Sequence, residues 1–364
     1  MTPKVLFCIP AYSYGGIESN TELICKFAAE YGYTDFGLCV EKQNLDVDFS
    51  FYKEHGWKIF ILPHNIKFNP IRYYRLLTKI IQQNGYNIVH SFNETRSPIV
   101  FRAAKRSGVK VRIYHPRTTK HDHGFYRKFG VYLSMKYATN LCACSKNVGL
   151  FTFKNKHFDI INDAIDTDKY LFSDSIRREV RLELGISDDK IVIGHIGRFC
   201  IAKNHEFLVR TFVAAVKKGL NAHLVLVGSG ELYNDVCKLI NEQGITDKVT
   251  LLGQRNDAYK LYQAFDLFLF PSVYEGYPNT VIEAQTSGLK CLLSNVITKD
   301  VAITDNVERL SLNIGAEAWA DKIIEMSTPY IRLGHKQEVI DAGNDAATEV
   351  RHLLDLYDSW LNKK

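Results

Sequence analysis

Residues 272–284 read Ser-Val-Tyr-Glu-Gly-Tyr-Pro-Asn-Thr-Val-Ile-Glu-Ala and follow Pro271 and the apolar run Leu-Phe-Leu-Phe at 267–270. An apolar run that ends in a Gly/Pro turn and continues into a helical pattern is typical of a strand–turn–helix step. Pro278 suits the first position of the helix, because the N–H that proline lacks would have no acceptor there. We therefore predict a helix that begins near Pro278.

The same segment carries a candidate anion site between two carboxylates. The backbone N–H groups of Asn279 and Thr280 are available to an anion at the positive end of the predicted helix. Glu275 lies in the preceding turn, and Glu283 lies inside the helix. An anion cradle flanked by two carboxylates that bind hydroxyl groups suits a sugar joined to a phosphate.

The whole chain predicts an α/β fold with two Rossmann-like domains. A chain of 364 residues exceeds one typical core. Short apolar runs alternate with helical patterns in two series, which indicates parallel sheets with right-handed crossovers. A polar stretch at 162–175 separates the series, so we predict domains at 1–165 and 166–345. The predicted strands are residues 4–9, 36–40, 58–62, 87–90, 111–114, 141–143 and 158–161, then 191–196, 223–227, 248–251, 266–270 and 290–293.

A last amphipathic helix, at about 346–364, is expected to pack back onto the first domain. The eight cysteines are scattered without metal-ligand spacing, no signal peptide is visible, and no apolar run is long enough to cross a bilayer. We therefore expect reduced thiols and a cytoplasmic protein.

Charge is divided unevenly between the two halves. Residues 1–165 hold 23 Lys/Arg and 12 Asp/Glu, a balance of +11, and the rest of the chain holds 23 and 28, a balance of −5. A basic first domain predicts an anionic partner for that domain.

Four glycine-containing or basic loops follow predicted strands, where ligands bind in open α/β sheets. Gly15 and Gly16 follow the first strand, where they favour either close approach of a phosphate or a tight structural turn. Arg198 and Lys203 follow the first strand of the second domain, and two cations there suit a diphosphate leaving group. Asn204 is expected to cap the next helix. The remaining two loops are residues 228–231 and 253–256, the latter with Gln254 and Arg255.

The order and spacing of these motifs carry a family resemblance. Residues 190–295 closely resemble the family 4 retaining glycosyltransferases of the GT-B fold, in which two Rossmann-like domains face each other across a cleft. The first half matches more weakly, through Gly15-Gly16 and residues 161–166, where Asp163-Ala164 replaces the usual Gly. Tyr277-Pro278 stands where many relatives have Phe-Gly, a form similar to the enzymes of bacterial capsule, exopolysaccharide and O-antigen synthesis. The motifs are Gly197-Arg198, Lys203-Asn204, Val227-Gly228-Ser229-Gly230, Pro271-Ser272, Glu275-Gly276 and Glu283-Ala284.

The resemblance implies a role for each matched residue. Arg198 and Lys203 would hold the donor diphosphate, and Gly16 would approach it from the other domain. Glu275 would orient the donor sugar, and Glu283 would bind the ribose hydroxyls. The resemblance also implies retention of the anomeric configuration without a metal or other cofactor.

Histidines are candidates for the acceptor side of the first domain. The family usually has a histidine after a middle strand, and His115, after the predicted strand 111–114, is the preferred match. His90 and the pair His121/His123 are the alternatives. The sequence His121-Asp122-His123 shows no fourth ligand, so we do not expect a zinc site.

Two helices, at 70–83 and 125–137, combine aromatic and basic residues. This pattern suits a membrane interface, or equally a core face opposite a solvated basic face. We found no nucleic-acid-binding motif and expect no nucleic-acid partner.

The sequence thus predicts a hexosyltransferase that uses a nucleotide sugar, with UDP-sugars favoured. The expected acceptor is a glycan or lipid-linked glycan at the inner face of the membrane. Two alternatives stay open: a nucleotide-sugar epimerase of similar shape, and a non-catalytic partner that only binds the nucleotide sugar. A NAD-dependent dehydrogenase is disfavoured, because no Gly-x-Gly-x-x-Gly follows the first strand.

Overall fold

A computed structural model describes residues 2–10, 12, 16–41, 48–63, 69–117 and 124–363 of the chain. They form two compact units, Met1–Ala164 with Asp345–Lys364, and Ile165–Asn344. Among the described residues, no helix is long and apolar enough to cross a membrane.

The first unit is built on a seven-stranded parallel sheet. Its strands are β1 (Val5–Ile9), β2 (Phe36–Val40), β3 (Lys58–Ile61), β4 (Ile88–Ser91), β5 (Val111–Tyr114), β6 (Asn140–Ala143) and β7 (Asp159–Ile160). They lie side by side in the order β3-β2-β1-β4-β5-β6-β7. Its helices are α1 (Gly16–Glu30), α2 (Ser50–Glu54), α3 (Pro70–Asn84), α4 (Ser97–Arg106), α5 (Phe125–Tyr137), α6 (Lys146–Phe153) and α14 (Ala346–Asn362).

The second unit is built on a six-stranded parallel sheet in the order β10-β9-β8-β11-β12-β13. Its strands are β8 (Ile191–Ile196), β9 (Ala222–Val227), β10 (Val249–Leu251), β11 (Leu267–Phe270), β12 (Lys290–Ser294) and β13 (Val307–Leu310). Its helices are α7 (Asp174–Glu183), α8 (His205–Lys217), α9 (Tyr233–Glu242), α10 (Ala258–Ala264), α11 (Asn279–Thr286), α12 (Gly315–Met326) and α13 (Lys336–Asp341).

In each sheet the strand order reverses direction once, between β1 and β4 in the first unit and between β8 and β11 in the second. The loops on either side of such a reversal diverge to opposite faces and leave a crevice at the carboxyl ends of the strands, where ligands bind. The central strands are buried on both faces, as their unbroken apolar runs predict. Each unit therefore offers one ligand crevice.

The last helix, α14, packs on the first unit, as predicted. Leu353, Leu354 and Tyr357 are fully buried and join the apolar cluster beneath β1 and α1. The Asp345 side chain accepts a hydrogen bond from the Thr348 N–H and so caps the start of the helix.

Candidate active site

An ion pair between Lys203 and Glu275 lies at the crevice of the second sheet. Lys203 ends the short 3₁₀ helix that follows β8, and Glu275 lies in the turn that follows β11. Lys203 Nζ is 2.7 Å from Glu275 Oε1, and each side chain is 15% exposed. Lys203 Nζ also lies 4.4 Å from the ring centroid of Phe270. A cation and a carboxylate, both largely withdrawn from water, therefore meet where this fold binds ligands.

Hydrogen bonds between the two loops hold this pair in place. The Asn204 side-chain amide donates to the Pro271 carbonyl at 3.2 Å, and the Val273 N–H donates to the Ala202 carbonyl at 2.9 Å. Asn204 occupies the N-cap position of α8, as predicted, but it adopts the left-handed conformation, with φ 56°, and its side chain makes no capping hydrogen bond. The amide instead fixes the Lys203 loop against the Glu275 loop.

Two glycines let the Lys203 side chain and the neighbouring loop approach. A Cβ at Gly197 would lie 3.2 Å from Lys203 Cε, tighter than an ordinary contact. At Gly228, φ is +136°, and a Cβ would lie 2.1 Å from the Gly197 carbonyl oxygen. The glycines of these two motifs are thus explained in part by loop packing.

The start of α11 lies next to Glu275 in the chain. The helix begins at Asn279, one residue later than predicted, and Pro278 precedes it. The first N–H groups of a helix have no acceptor within the helix. Within the described part of the chain, Asn279 Oδ1 and Thr280 Oγ1 are also buried without hydrogen-bond partners. The helix start therefore combines N–H donors with two unpartnered side-chain oxygens.

Glu283, one turn into α11, lies beside two tyrosines that the sequence did not identify. The Tyr262 hydroxyl donates to Glu283 Oε2 at 2.7 Å, and Tyr170 lies close to the same carboxyl group. Burial raises the pKa of the Glu283 carboxyl, and the tyrosine hydroxyls only partly offset it. The carboxyl group is thus oriented and ready to accept hydrogen bonds from ligand hydroxyls.

Three predicted donor-binding residues of the second unit lie apart from this pair. The Arg198 side chain is 71% exposed and pairs with Glu231 at 3.1 Å. Arg255 pairs with Asp257 at 2.7 Å and with Glu183 at 3.2 Å. Gln254 is exposed.

All three lie within the described part of the chain, and none forms a hydrogen bond or ion pair with Lys203 or Glu275. The guanidinium groups of Arg198 and Arg255 are already engaged by carboxylates.

Gly16 lies at the crevice of the first sheet and begins α1. Arg117 Nη2 donates to the Gly16 carbonyl at 3.0 Å and pairs with Asp163 Oδ1 at 2.5 Å. Among the described residues, a Cβ at Gly16 would meet only Arg117, at an ordinary 3.8 Å. These residues therefore leave room for a side chain at this position. Gly15 lies outside the described residues.

A pocket of about 460 Å³ opens beside Gly16 within the first unit. It lies at the ends of β1 and β4, where the strand order reverses. Its lining residues are Pro10, Gly16, Ile17, Phe92, Asn93, Glu94, Thr95, Arg96, Arg117 and Asp163.

A buried polar network supports one wall of this pocket. Glu41 accepts hydrogen bonds from Asn93 Nδ2, at 2.7 Å, and from the Tyr73 hydroxyl, and it pairs with Arg96. Sequence reasoning missed Glu41, Asn93 and Arg96, because nothing in their local pattern distinguishes them from surface polar residues.

His115 directly follows β5 and is 2% exposed. His115 Nδ1 lies 2.9 Å from Nε2 of His90, which is fully buried in β4. Burial lowers the pKa of His90 to about 3 and holds the pKa of His115 well below its usual value. His115 and His90, treated as alternatives in the sequence, thus form one pair. His121 and His123 lie outside the described residues.

No group of three or more His, Cys, Asp or Glu side chains is arranged to hold a metal ion in the described ranges.

Comparisons with known proteins point in one direction. A family model described as "Glycosyl transferases group 1" matches residues 190–328. EpsF of Bacillus subtilis (strain 168), named as a glycosyltransferase, is 31% identical over 323 residues, covering 85% of this chain and 84% of EpsF. The Escherichia coli UDP-Gal:alpha-D-GlcNAc-diphosphoundecaprenol alpha-1,3-galactosyltransferase is 26% identical over 241 residues, 60% of each chain.

The crystal structure of Anabaena Alr3699/HepE in complex with UDP and glucose superposes with a TM-score of 0.76. It covers 98% of this chain and 100% of its own, at 17% identity. At that identity the likeness is one of fold, and it confirms the fold class predicted from the sequence.

Proposed function

This chain belongs to the group 1 glycosyltransferase family, and from that premise we propose that it transfers a hexose or N-acetylhexosamine from a nucleotide sugar. A UDP-sugar is the favoured donor, and the acceptor is a lipid-linked glycan of cell-surface polysaccharide synthesis. The ion pair of Lys203 and Glu275 at the crevice of the second sheet carries the proposal. The second unit binds the donor in this scheme, and the first unit binds the acceptor.

The positive groups of the second unit suit the donor diphosphate. Lys203 and the first N–H groups of α11 lie at the ends of the two central strands. Both kinds of group stabilise negative charge that develops on a leaving phosphate. Lys203 would exchange its contact with Glu275 for one with a phosphate oxygen, and Arg198 would leave Glu231 in the same way.

The two carboxyl groups suit the hydroxyls of the donor. Glu275, released by Lys203, would accept hydrogen bonds from the sugar hydroxyls. Glu283, fixed by Tyr262, would accept them from the ribose. Hydrogen bonds from hydroxyls to a buried carboxylate are charge-assisted and therefore specific.

The proposed reaction retains the anomeric configuration and uses no metal. The bond between sugar C1 and the phosphate oxygen breaks, and the electron pair stays on the UDP leaving group. The acceptor oxygen bonds to C1 on the same face, and its proton passes to the departing phosphate oxygen. Lys203 and the start of α11 supply the positive charge that a metal ion would otherwise supply.

A donor screen tests this proposal. Nucleotide sugars are compared for their rise in melting temperature, since a ligand that binds only the folded state stabilises it. The best donor is then incubated with lipid-diphosphate glycan acceptors, and the anomeric configuration of the product is read by proton NMR. Product with the donor configuration supports the proposal, and an inverted product contradicts it. Epimerisation of the donor alone would favour the epimerase, and binding without transfer to any acceptor would favour the non-catalytic partner.

The acceptor side of the proposal includes peripheral contact with an anionic membrane. On α5, Tyr126, Phe129 and Tyr132 are 88%, 51% and 57% exposed, and Lys128 and Lys136 are exposed beside them. Aromatic and basic side chains on one exposed helix suit the membrane interface. The E. coli relative is named for a diphosphoundecaprenol-linked acceptor, which supports the same assignment.

The other aromatic-basic helix, α3, buries Tyr73, Leu77 and Ile81 and so presents a core face. The membrane assignment therefore concerns α5.

Vesicle sedimentation tests this contact. Replacing Tyr126, Phe129 and Tyr132 by serine should reduce binding to vesicles of phosphatidylglycerol and phosphatidylcholine. The matched control replaces Leu182 and Ile331, which are 84% and 85% exposed on the second unit. Equal binding by both variants and the parent protein would contradict a membrane role for α5.

A further inference from the structure

A chain of hydrogen bonds joins Tyr357, on α14, to His115 through the interior of the first unit. The Tyr357 hydroxyl lies 2.6 Å from His90 Nδ1, and His90 Nε2 lies 2.9 Å from His115 Nδ1. Tyr357 and His90 are fully buried, and His115 nearly so. The His115 ring packs 5.0 Å from that of Phe92, which lines the pocket beside Gly16.

The direction of the hydrogen bonds between Tyr357, His90 and His115 follows from the number of protons that these groups carry. Both imidazoles are neutral near pH 7, because burial lowers the pKa of His90 to about 3 and that of His115 well below its usual value. A neutral imidazole has one N–H and one bare nitrogen. Within the described ranges, the Tyr357 hydroxyl has His90 Nδ1 as its one hydrogen-bond partner. The hydroxyl therefore donates to His90 Nδ1, since the reverse arrangement would bury its proton without an acceptor.

The positions of the imidazole protons of His90 and His115 follow from this. His90 carries its proton on Nε2 and donates it to His115 Nδ1. His115 consequently carries its own proton on Nε2. This nitrogen is buried and has no hydrogen-bond partner among the residues that the structure describes.

We propose that Tyr357 is a positioning residue that sets the tautomer of His115 through His90, so that His115 presents an Nε2–H donor to an oxygen of the substrate. In this tautomer His115 cannot act as a general base through Nε2, because that nitrogen already holds a proton. It orients the substrate by donating a hydrogen bond. The identity of the substrate rests on the proposed function, but the tautomer does not.

NMR of protein labelled with ¹⁵N-histidine tests the tautomer directly. The chain has 12 histidines, and His115→Gln identifies the His115 signals by their loss. The parent protein should show a protonated Nε2 and a bare Nδ1 for His115. A bare Nε2 in the parent protein would overturn the proposal, whatever the variants do.

Tyr357→Phe removes the hydroxyl that sets the direction of the hydrogen bonds through His90 and His115. We expect the His115 signals to become those of a tautomer mixture, and kcat to fall about tenfold with little change in the donor KM, the lower end of what losing such an outer partner costs at metal-bound histidines. Tyr33→Phe is the matched control, because the Tyr33 hydroxyl donates to Asp358 on the same helix at 2.7 Å and touches neither histidine. Equal effects of the two substitutions on kcat and on the tautomer would overturn the proposal.

Titrations identify the oxygen that His115 binds. A downfield shift of the His115 Nε2–H proton with UDP alone assigns a phosphate oxygen, a shift only with the UDP-sugar assigns a hydroxyl of the donor sugar, and a shift only with the lipid-linked glycan assigns an acceptor hydroxyl. No shift with any of the three overturns the substrate role. A protein that shows the expected tautomer but transfers no sugar would keep the Tyr357 assignment and reject the proposed function.

Discussion

Lys203 and Glu275 should have opposite effects on nucleotide binding, although they form one ion pair. Before the nucleotide binds, Lys203 Nζ lies 2.7 Å from Glu275 Oε1. A phosphate must compete with that carboxylate for the ammonium group. Lys203→Met removes the phosphate partner, whereas Glu275→Gln removes the competitor. The two substitutions therefore separate a donor-binding pair from a structural one.

The exposure of the pair sets the magnitude. At 15% exposure for each side chain, the pair lies between an exposed ion pair and a buried one. A hydrogen bond to a charged group is worth ~2 kcal/mol, so Lys203→Met should weaken UDP binding about 30-fold. Releasing Lys203 from a partly screened carboxylate is worth ~1 kcal/mol, so Glu275→Gln should tighten UDP binding about fivefold. The same Glu275→Gln variant should lose sugar transfer, because the sugar hydroxyls lose a charged acceptor.

Isothermal titration with UDP, together with transfer rates, measures these effects. Lys218→Met is the matched control, since Lys218 pairs with Asp321 at 2.5 Å on the same unit. It should leave UDP affinity unchanged. The reasoning is refuted if Glu275→Gln weakens UDP binding as much as Lys203→Met does, or if Lys203→Met leaves it unchanged.

Three further predictions concern single residues. Gly16→Ala should leave the melting temperature unchanged, because the described residues leave room for the methyl group, but it should lower kcat/KM at least about tenfold if a phosphate approaches this backbone. An equal loss of stability would point to a structural glycine. The pKa of Glu283 is raised in the folded state, so its ionisation costs stability above the unfolded pKa. Glu283→Gln should therefore melt at a higher temperature than the parent protein near pH 7, lose that advantage near pH 4, and transfer sugar poorly. A difference in melting temperature that does not depend on pH would contradict the assignment. The Arg332 guanidinium donates to the carbonyls of Tyr262, Gln263, Phe265 and Ser287. Arg332→Met should therefore lower the free energy of unfolding, measured with denaturant, by about 3 kcal/mol. A loss below about 1 kcal/mol would show that water satisfies those carbonyls.

The fold could be predicted because the central strands are buried on both faces and therefore appear as unbroken apolar runs. The apolar run at 267–270, for example, forms the buried strand β11. The strand β13 was missed because its sequence, Val-Glu-Arg-Leu, places two charged residues inside an edge strand that is only partly buried. This edge strand therefore lacks the apolar signal on which the other predictions depended.

The candidate site could be predicted only in part. The sequence places Lys203 and Glu275 after two different strands of the second domain, but their contact depends on β8 pairing with β11. Tyr170 and Tyr262 could not be assigned to Glu283, since both belong to local patterns that bury an aromatic ring for packing alone. The ion pair of Arg198 with Glu231 could not be predicted either, because it joins two loops that meet only in the folded sheet.

A crystal structure of the protein with a bound UDP-sugar would show directly whether Lys203 and Glu275 belong to the donor site. We expect Lys203 Nζ to leave Glu275 and bind a phosphate oxygen, the first N–H groups of α11 to face the diphosphate, and Glu283 to accept hydrogen bonds from the ribose. A nucleotide bound elsewhere on the chain, with the ion pair of Lys203 and Glu275 intact, would contradict this expectation.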